Sequence, residues 1–352
     1  MKIKKISFRS YKKFIKPTSF SFTDSDGSIN DKTLIIGENG SGKTSILHAI
    51  VALIATATRD NFNPDSLDWP GFDYRLIQSG KLPLQIEAEI EFSKLESSTT
   101  KEYARRLIEL GVSLGTPSER NSIKISLDNV NKKVQAEGGA SAYYQFSGYQ
   151  YAKRLAALSP NKSALFENVG NIYWYSEQRN SYNLSNLLDN ELPQIDFIRS
   201  FLSSAYSYHV AVKSGEREIK EGEFDFYEKL EHLYCTVFPG RSFEGSAPRF
   251  DIYEQSKAPD FFLNDGSNQY ELGSMSAGER AIFPILMDFA RWNINNSIII
   301  IDELELHLHP SLQQAFVRVL SGLGKNNQFI LTSHSDNILS MFDESQNQVI
   351  RL

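Results

Sequence analysis

The chain has 352 residues, 41% of them hydrophobic and 23% charged, with a net charge of −6. That is enough for one large or two modest domains with a real core, and it excludes a uniformly basic nucleic-acid binder while leaving room for a local basic patch. One cysteine, Cys235, excludes an internal disulfide and a cysteine metal site. No apolar run reaches the ~18–20 residues that span a bilayer. The N-terminal segment lacks the apolar core of a signal peptide, so the cytoplasm is the expected location.

Residues 2–9 alternate with Ile6 and Phe8 on one face, the pattern of a strand, and 19–22 supply its hairpin partner. Residues 1–16 carry Lys2, Lys4, Lys5, Arg9, Lys12, Lys13 and Lys16 and no acid. Two readings stand: an edge strand guarded by lysines, or a DNA contact. Residues 33–36 form a short buried strand, and G-x-x-x-x-G-K-[ST] follows at Gly37, Gly42, Lys43 and Thr44. That is a phosphate-binding loop. Its glycines let backbone N–H groups curl around a polyphosphate, and the helix over 43–57 points its positive end at the same place. The expected contacts are Gly37, Glu38, Asn39, Gly40, Ser41, Gly42, Lys43, Thr44 and Ser45. Lys43 reaches the β- and γ-phosphates, and the Thr44 hydroxyl is a ligand for Mg²⁺.

Residues 59–80 are rich in Asn, Asp and Pro and read as irregular. Residues 84–92 alternate as a half-exposed antiparallel strand. A helix is expected over 94–114, with Leu95, Tyr103, Leu107, Leu110 and Leu114 inward, then a strand over 122–128 and a turn at 137–141. The stretch 94–170 reads as an insertion. A buried strand at 171–176 ends in Glu177, Gln178 and Arg179. Helices are expected over 193–213 and 224–238, with strands and a turn in 249–272.

The last third carries the remaining chemistry. Residues 297–303, SIIIIDE, read as a buried parallel strand whose carboxyl end presents Asp302 and Glu303. Behind a phosphate-binding loop, Asp302 holds Mg²⁺ and Glu303 polarises the attacking water. Ser276 and Glu279 form the S-x-x-E capping box of an apolar helix over 281–292, and Ser276 with Gly278 marks a helix start suited to an anion. Two histidines, His307 and His309, precede Pro310, which opens a helix over 311–322. Zinc is a weak reading there, because no further ligands stand at the usual spacing. A strand from 328 then delivers His334.

Met275-Ser276-Ala277-Gly278-Glu279 resembles the signature motif of ABC-class ATPases, in the S-x-G-E form of SMC-, RecF- and OLD-like heads. The resemblance covers 1–57, 84–92, 171–179 and 270–336. It implies an α/β P-loop NTPase fold: one ABC-type head over 1–352, with a mixed β-sheet and a helical signature lobe. Its parts are 1–93 with the loop, 94–170 the insertion, 171–270 the glutamine strand and helical lobe, and 271–352 the signature, Asp-Glu strand and His334. It further implies that Ser276, Gly278 and Glu279 bind the γ-phosphate of ATP held by a second copy, so that ATP joins a head-to-head homodimer. His334 contacts the γ-phosphate and the water. Gln178, favoured over Gln78, touches Mg²⁺ and the water. The base lies near the first strands, where Phe8, Tyr11 and Phe14 are candidates, with core packing the competing role. The segment 305–310 follows the dimer-facing loop.

Two departures matter. The middle holds no long heptad run, which argues against an SMC-type arm. The chain also ends soon after His334, where OLD-type nucleases continue into a TOPRIM domain. The implied role is an ATPase subunit that gates a nuclease or toxin effector in a bacterial anti-phage system. A RecF-type maintenance ATPase that binds DNA (or RNA) directly is the alternative. The S-x-G-E signature and the long insertion speak against membrane transport.

Overall fold

One helix, apolar on every side, sits between two sheets at the centre of the fold. The computed structural model describes residues 1–58, 83–128, 134–158, 163–177, 181–183, 195–220, 223–248 and 259–352. In chain order the elements are β1 (Lys2–Arg9), β2 (Thr18–Ser21), β3 (Lys32–Ile36), α1 (Lys43–Ala57), β4 (Gln85–Glu91), α2 (Lys94–Glu109), β5 (Ser122–Asp128) and β6 (Val134–Ala136). There follow α3 (Ala140–Phe146), α4 (Gly148–Ala156), β7 (Ile172–Tyr175), β8 (Ser181–Asn183), α5 (Ile195–Lys213), α6 (Phe226–Val237), β9 (Ser242–Ala247), β10 (Asp260–Asn264) and β11 (Gln269–Glu271). The last are α7 (Ala277–Trp292), β12 (Ile298–Ile301), α8 (Pro310–Leu320), β13 (Gln328–Ser333), α9 (Asp336–Leu339) and β14 (Val349–Arg351).

The first sheet runs β2-β1-β4-β5-β6 and is antiparallel. The second runs β14-β3-β13-β12-β7-β8 and is parallel except for β8. A small antiparallel sheet, β11-β10-β9, lies beside the helices of the second half. The parallel strands alternate between two cores. On β12, Ile298 and Ile300 pack with α1 and the antiparallel sheet, while Ile299 and Ile301 pack with residues of α6, α7 and α8. A strand covered on both faces must be apolar throughout, which is why its sequence is a run and not an alternation. The same logic buries α1 on all sides, Ile46 to Ala57. No helix among the described residues is long and apolar enough to cross a membrane.

Several expectations change. β1 lies between β2 and β4, so lysines guarding an edge are not its explanation. Lys2 instead pairs with Asp31 at 2.7 Å, and Lys4 with Glu91 at 3.1 Å. Within 94–170, β5 pairs with β4 along its whole length, so this stretch contributes strands to the first sheet. α2 ends at Glu109, and Leu95 and Leu110 are each 59% exposed. Its inward line is Ser97, Thr100, Tyr103, Ala104 and Leu107. Small polar residues belong on that line because Gln145 Nε2 donates to Ser97 Oγ at 2.9 Å and α4 starts against Thr100, where a Cβ on Gly148 would come within 2.4 Å of Oγ1. β9 and β14 had no clear signal, being short and largely polar or half-buried. The expectations for 59–80 and 249–258 fall outside the described residues.

Candidate functional site

The order β3-β13-β12 sets the site. The phosphate-loop strand and the Asp-Glu strand flank β13, all three parallel. Their carboxyl ends therefore bring Lys43 and Thr44, Asp302 and Glu303, and His334 to one edge, where ligands bind in open α/β sheets.

The loop from 37 to 42 needs its glycines for different reasons. Gly40 and Gly42 have φ of 74° and 105°, conformations that cost other residues strain. Gly37 needs space: a Cβ there would meet Ser41 Oγ at 2.7 Å and the Leu352 carbonyl at 2.9 Å. Lys43 folds across the loop, and its Nζ donates to the Gly37 and Glu38 carbonyls at 2.8 and 3.1 Å. Burial lowers its pKa against the pull of Glu303, Asp302 and Glu305. The turn at 11–14 rests on the loop. Lys13 Nζ donates to the Gly40 carbonyl at 3.2 Å, and the Tyr11 hydroxyl to the Ser45 carbonyl at 2.8 Å. Phe8, Tyr11 and Phe14 are buried, with Phe8 stacked on the other two at 5.2 and 5.1 Å. Core packing is thus the role the structure gives them.

Thr44 and Asp302 stand 258 positions apart in sequence, and Thr44 Oγ1 donates to Asp302 Oδ2 at 2.9 Å. Asp302 is fully buried, and Thr332 of β13 donates to its other oxygen. The same Thr332 oxygen accepts the Glu303 N–H at 2.8 Å. Sequence reading missed Thr332; its only signal was its place two residues before His334. Glu303 sits at φ 47°, which turns the chain away from the strand and sets its carboxyl beside Asp302. Burial, then Asp302 and Glu305, push the Glu303 pKa up. His334 is exposed, and its backbone N–H donates to Glu305 Oε1 at 2.6 Å.

Ser276 caps α7 as the capping box predicts. Its Oγ accepts the Glu279 N–H at 3.3 Å, and Glu279 Oε2 accepts the Ser276 N–H at 2.8 Å. Ser276 is exposed at the helix start. Gly278 is close-packed: a Cβ there would come within 3.1 Å of Leu312 and 3.3 Å of the His307 carbonyl. Glu279, expected to share in nucleotide binding, is turned inward to Tyr234, Tyr270 and Arg241. α7 packs on the opposite face of the parallel sheet from α1, so within one copy the two helix starts belong to different cores. His307 and His309 are exposed, His309 beside Ser311 at 3.0 Å, and Pro310 occupies the first turn of α8. Gln178 and Gln78 lie outside the described residues.

Residues 1–339 match the family described as AAA ATPase domain. The chain is similar to the Retron Vc95 probable ATPase of Vibrio cholerae serotype O1 biovar El Tor, 23% identical over 403 aligned residues that cover 99% of this chain and 73% of that protein. It is also similar to the Retron Ec83 probable ATPase of Escherichia coli, 28% identical over 184 residues, 49% of this chain and 30% of that protein. Among solved structures it resembles an SMC head bound to the C-winged helix domain of ScpA, with a TM-score of 0.53 and 13% identity over 97% of this chain and 92% of that one. An SMC head with an extended coiled coil, bound to the C-terminal domain of ScpA from Pyrococcus furiosus, gives a TM-score of 0.50 and 12% identity over the same shares. At such identities the likeness concerns the fold.

Proposed function

The chain belongs to the AAA ATPase domain family, and on that premise we propose that it binds ATP with Mg²⁺, hydrolyses it, and uses it to join two copies head to head. The observation that carries this reading is the meeting of Thr44 with Asp302 at 2.9 Å beside Lys43. A hydroxyl and a carboxylate are the hard oxygen donors that Mg²⁺ takes, so the residues present fit the ion. When bound, it supplies neutralising charge to the β- and γ-phosphates.

The side chains then divide the work. The loop N–H groups from Gly37 to Ser45 cradle the phosphates. Lys43 leaves the Gly37 and Glu38 carbonyls for phosphate oxygens, a fair exchange for a buried ammonium that must stay paired. Glu303 accepts a proton from the attacking water as its oxygen bonds to the γ-phosphorus. The bond from that phosphorus to the bridging oxygen breaks, giving ADP and phosphate. His334 and Gln178 orient the water, and Thr332 fixes the carboxylates that act. Ser276 and the N–H of Gly278 complete the site from the second copy, with Glu279 steadying the helix that carries them.

Similarity to two retron ATPases supports a role in gating a partner effector, a nuclease or a toxin, in bacterial anti-phage defence. Direct DNA binding has less support, because Lys2 and Lys4 spend their charge on Asp31, Glu89 and Glu91.

Glu303→Gln keeps the shape and removes the proton acceptor. With ATP and Mg²⁺ this variant should elute at twice the monomer mass in a sizing experiment and turn over at least 100-fold more slowly. A variant that stays monomeric refutes the shared site.

A further inference from the structure

The turn after β13 is held from the side by two residues that the reaction does not use. Glu305 Oε1 accepts the His334 backbone N–H at 2.6 Å. Gln313, buried in α8, accepts the Ser335 hydroxyl at 2.6 Å with its amide oxygen. The other end of the same amide donates to the Leu308 carbonyl at 2.9 Å. We propose that Glu305 and Gln313 act together as positioning residues that fix the His334–Ser335 turn against the loop following Glu303.

The geometry makes this more than loose packing. The loop runs through two left-handed residues, Glu303 at φ 47° and His307 at φ 65°. It is already tied to β13 by the Leu304 N–H on the Thr332 carbonyl at 2.9 Å and the Glu303 N–H on Thr332 Oγ1 at 2.8 Å. Those bonds end at Thr332, two residues short of His334. β13 itself runs one residue further, with Ser333 paired to Ile36 of β3, and beyond Ser333 the sheet no longer guides the chain; His334 is exposed. There the Ser335 N–H donates to Ser333 Oγ at 2.9 Å within the turn, and the Glu305 and Gln313 bonds tie that turn to the loop and to α8. A hydrogen bond to a carboxylate is stronger than a neutral one, and Gln313 is buried with both ends of its amide in use. The clamp also reaches the signature. Leu308 and His307, the loop that Gln313 grips, are in contact range of Gly278 at the start of α7.

The consequence for turnover rests on the reading of His334 given above; the consequence for the turn does not. Hydrogen–deuterium exchange on the full chain without nucleotide reads the turn directly. Glu305→Ala should raise exchange at the His334 amide by about ten- to a hundredfold, the loss of one charge-assisted bond. Glu305→Gln keeps an acceptor for that N–H and should restore most of the protection. Gln313→Leu, an apolar replacement of similar length, releases the Ser335 hydroxyl and the Leu308 carbonyl; exchange at the Ser335 and Leu308 amides, bonded to Ser333 Oγ and the Glu305 carbonyl, should rise as the turn loosens while His334 stays protected. In steady-state assays Glu305→Ala should lower kcat about tenfold or more at unchanged KM for ATP, with Glu305→Gln recovering it. Unchanged exchange at His334 in Glu305→Ala overturns the proposal. So does a Glu305→Gln variant as impaired as Glu305→Ala, because charge and not the bond would then be at work. His334→Ala is the control for the reading beneath: full turnover there removes the role of His334 and leaves exchange alone to decide the clamp.

Discussion

Glu279 keeps its charge while only 2% exposed. Burial opposes that charge, yet donors from Arg241, the Ser276 N–H, Tyr234 and Tyr270 outweigh it and hold the carboxyl at about 2, against an ordinary value of 4.5. A carboxyl lowered by folding stabilises the native state above its unfolded pKa, and the gain fades as pH falls toward the folded value. The window here runs from about 4.5 down to about 2, and the full gain is about 3 kcal/mol. Glu279→Gln should therefore melt well below the parent at neutral pH. The two curves should converge as pH approaches 2, and a constant gap across that range sinks the account. Only part of this was legible in the sequence. Ser276 and Glu279 stand three apart, the spacing at which a capping box closes, so local rules found it. Tyr234, Arg241 and Tyr270 come from other elements, and nothing local ties them to Glu279. Thr332 is the same kind of case: its neighbours Asp302 and Glu303 reach it only once β12 pairs with β13.

At the scale of elements, the inward face of α2 was legible only in part. α2 buries Tyr103 and Leu107 as expected, while Leu95 lies off that face and Leu110 stands just past the helix end, each 59% exposed. The buried face also carries Ser97 and Thr100, which are inward because Gln145 and Gly148 meet them there. α1, buried on all sides from Ile46 to Ala57, and the all-apolar β12 left no such choice. α7 offers the test that separates a cap from a ligand. As an N-cap, Ser276 is worth about 1 kcal/mol relative to alanine and only a few tenths relative to glycine. Ser276→Ala should thus lower the melting temperature by a few degrees, and Ser276→Gly hardly at all. ATP-dependent dimerisation of the Glu303→Gln background should be lost in both, because neither offers a hydroxyl to the partner's phosphate. Should Ser276→Gly still dimerise with ATP, the hydroxyl serves the helix alone.

Across the whole molecule the parallel sheet is the shared wall of two cores. Ile300 faces α1 and the antiparallel sheet; Ile299, its neighbour, faces the helices of the second half. Both are fully buried, so removing either leaves a cavity that costs about 2–5 kcal/mol. The two cores hold the two ends of the proposed site, the phosphate loop on one side and the signature on the other. If they folded independently, Ile300→Ala would loosen the loop and leave the signature lobe at its original melting temperature. The strand joins them by backbone, and each strand of the ladder from β3 to β7 contributes side chains to both faces, so a strand that leaves one core leaves the other. Both variants should show a single melting transition by circular dichroism, shifted down by similar amounts, and saturating ATP with Mg²⁺ should raise it by the linkage term, about 2.7 kcal/mol at a hundred times Kd. Lys43→Ala should abolish that rise while melting as one unit itself. Two resolved transitions in either isoleucine variant would mean that the sheet does not couple the lobes, and ATP bound at the loop would then need another route to reach the signature helix.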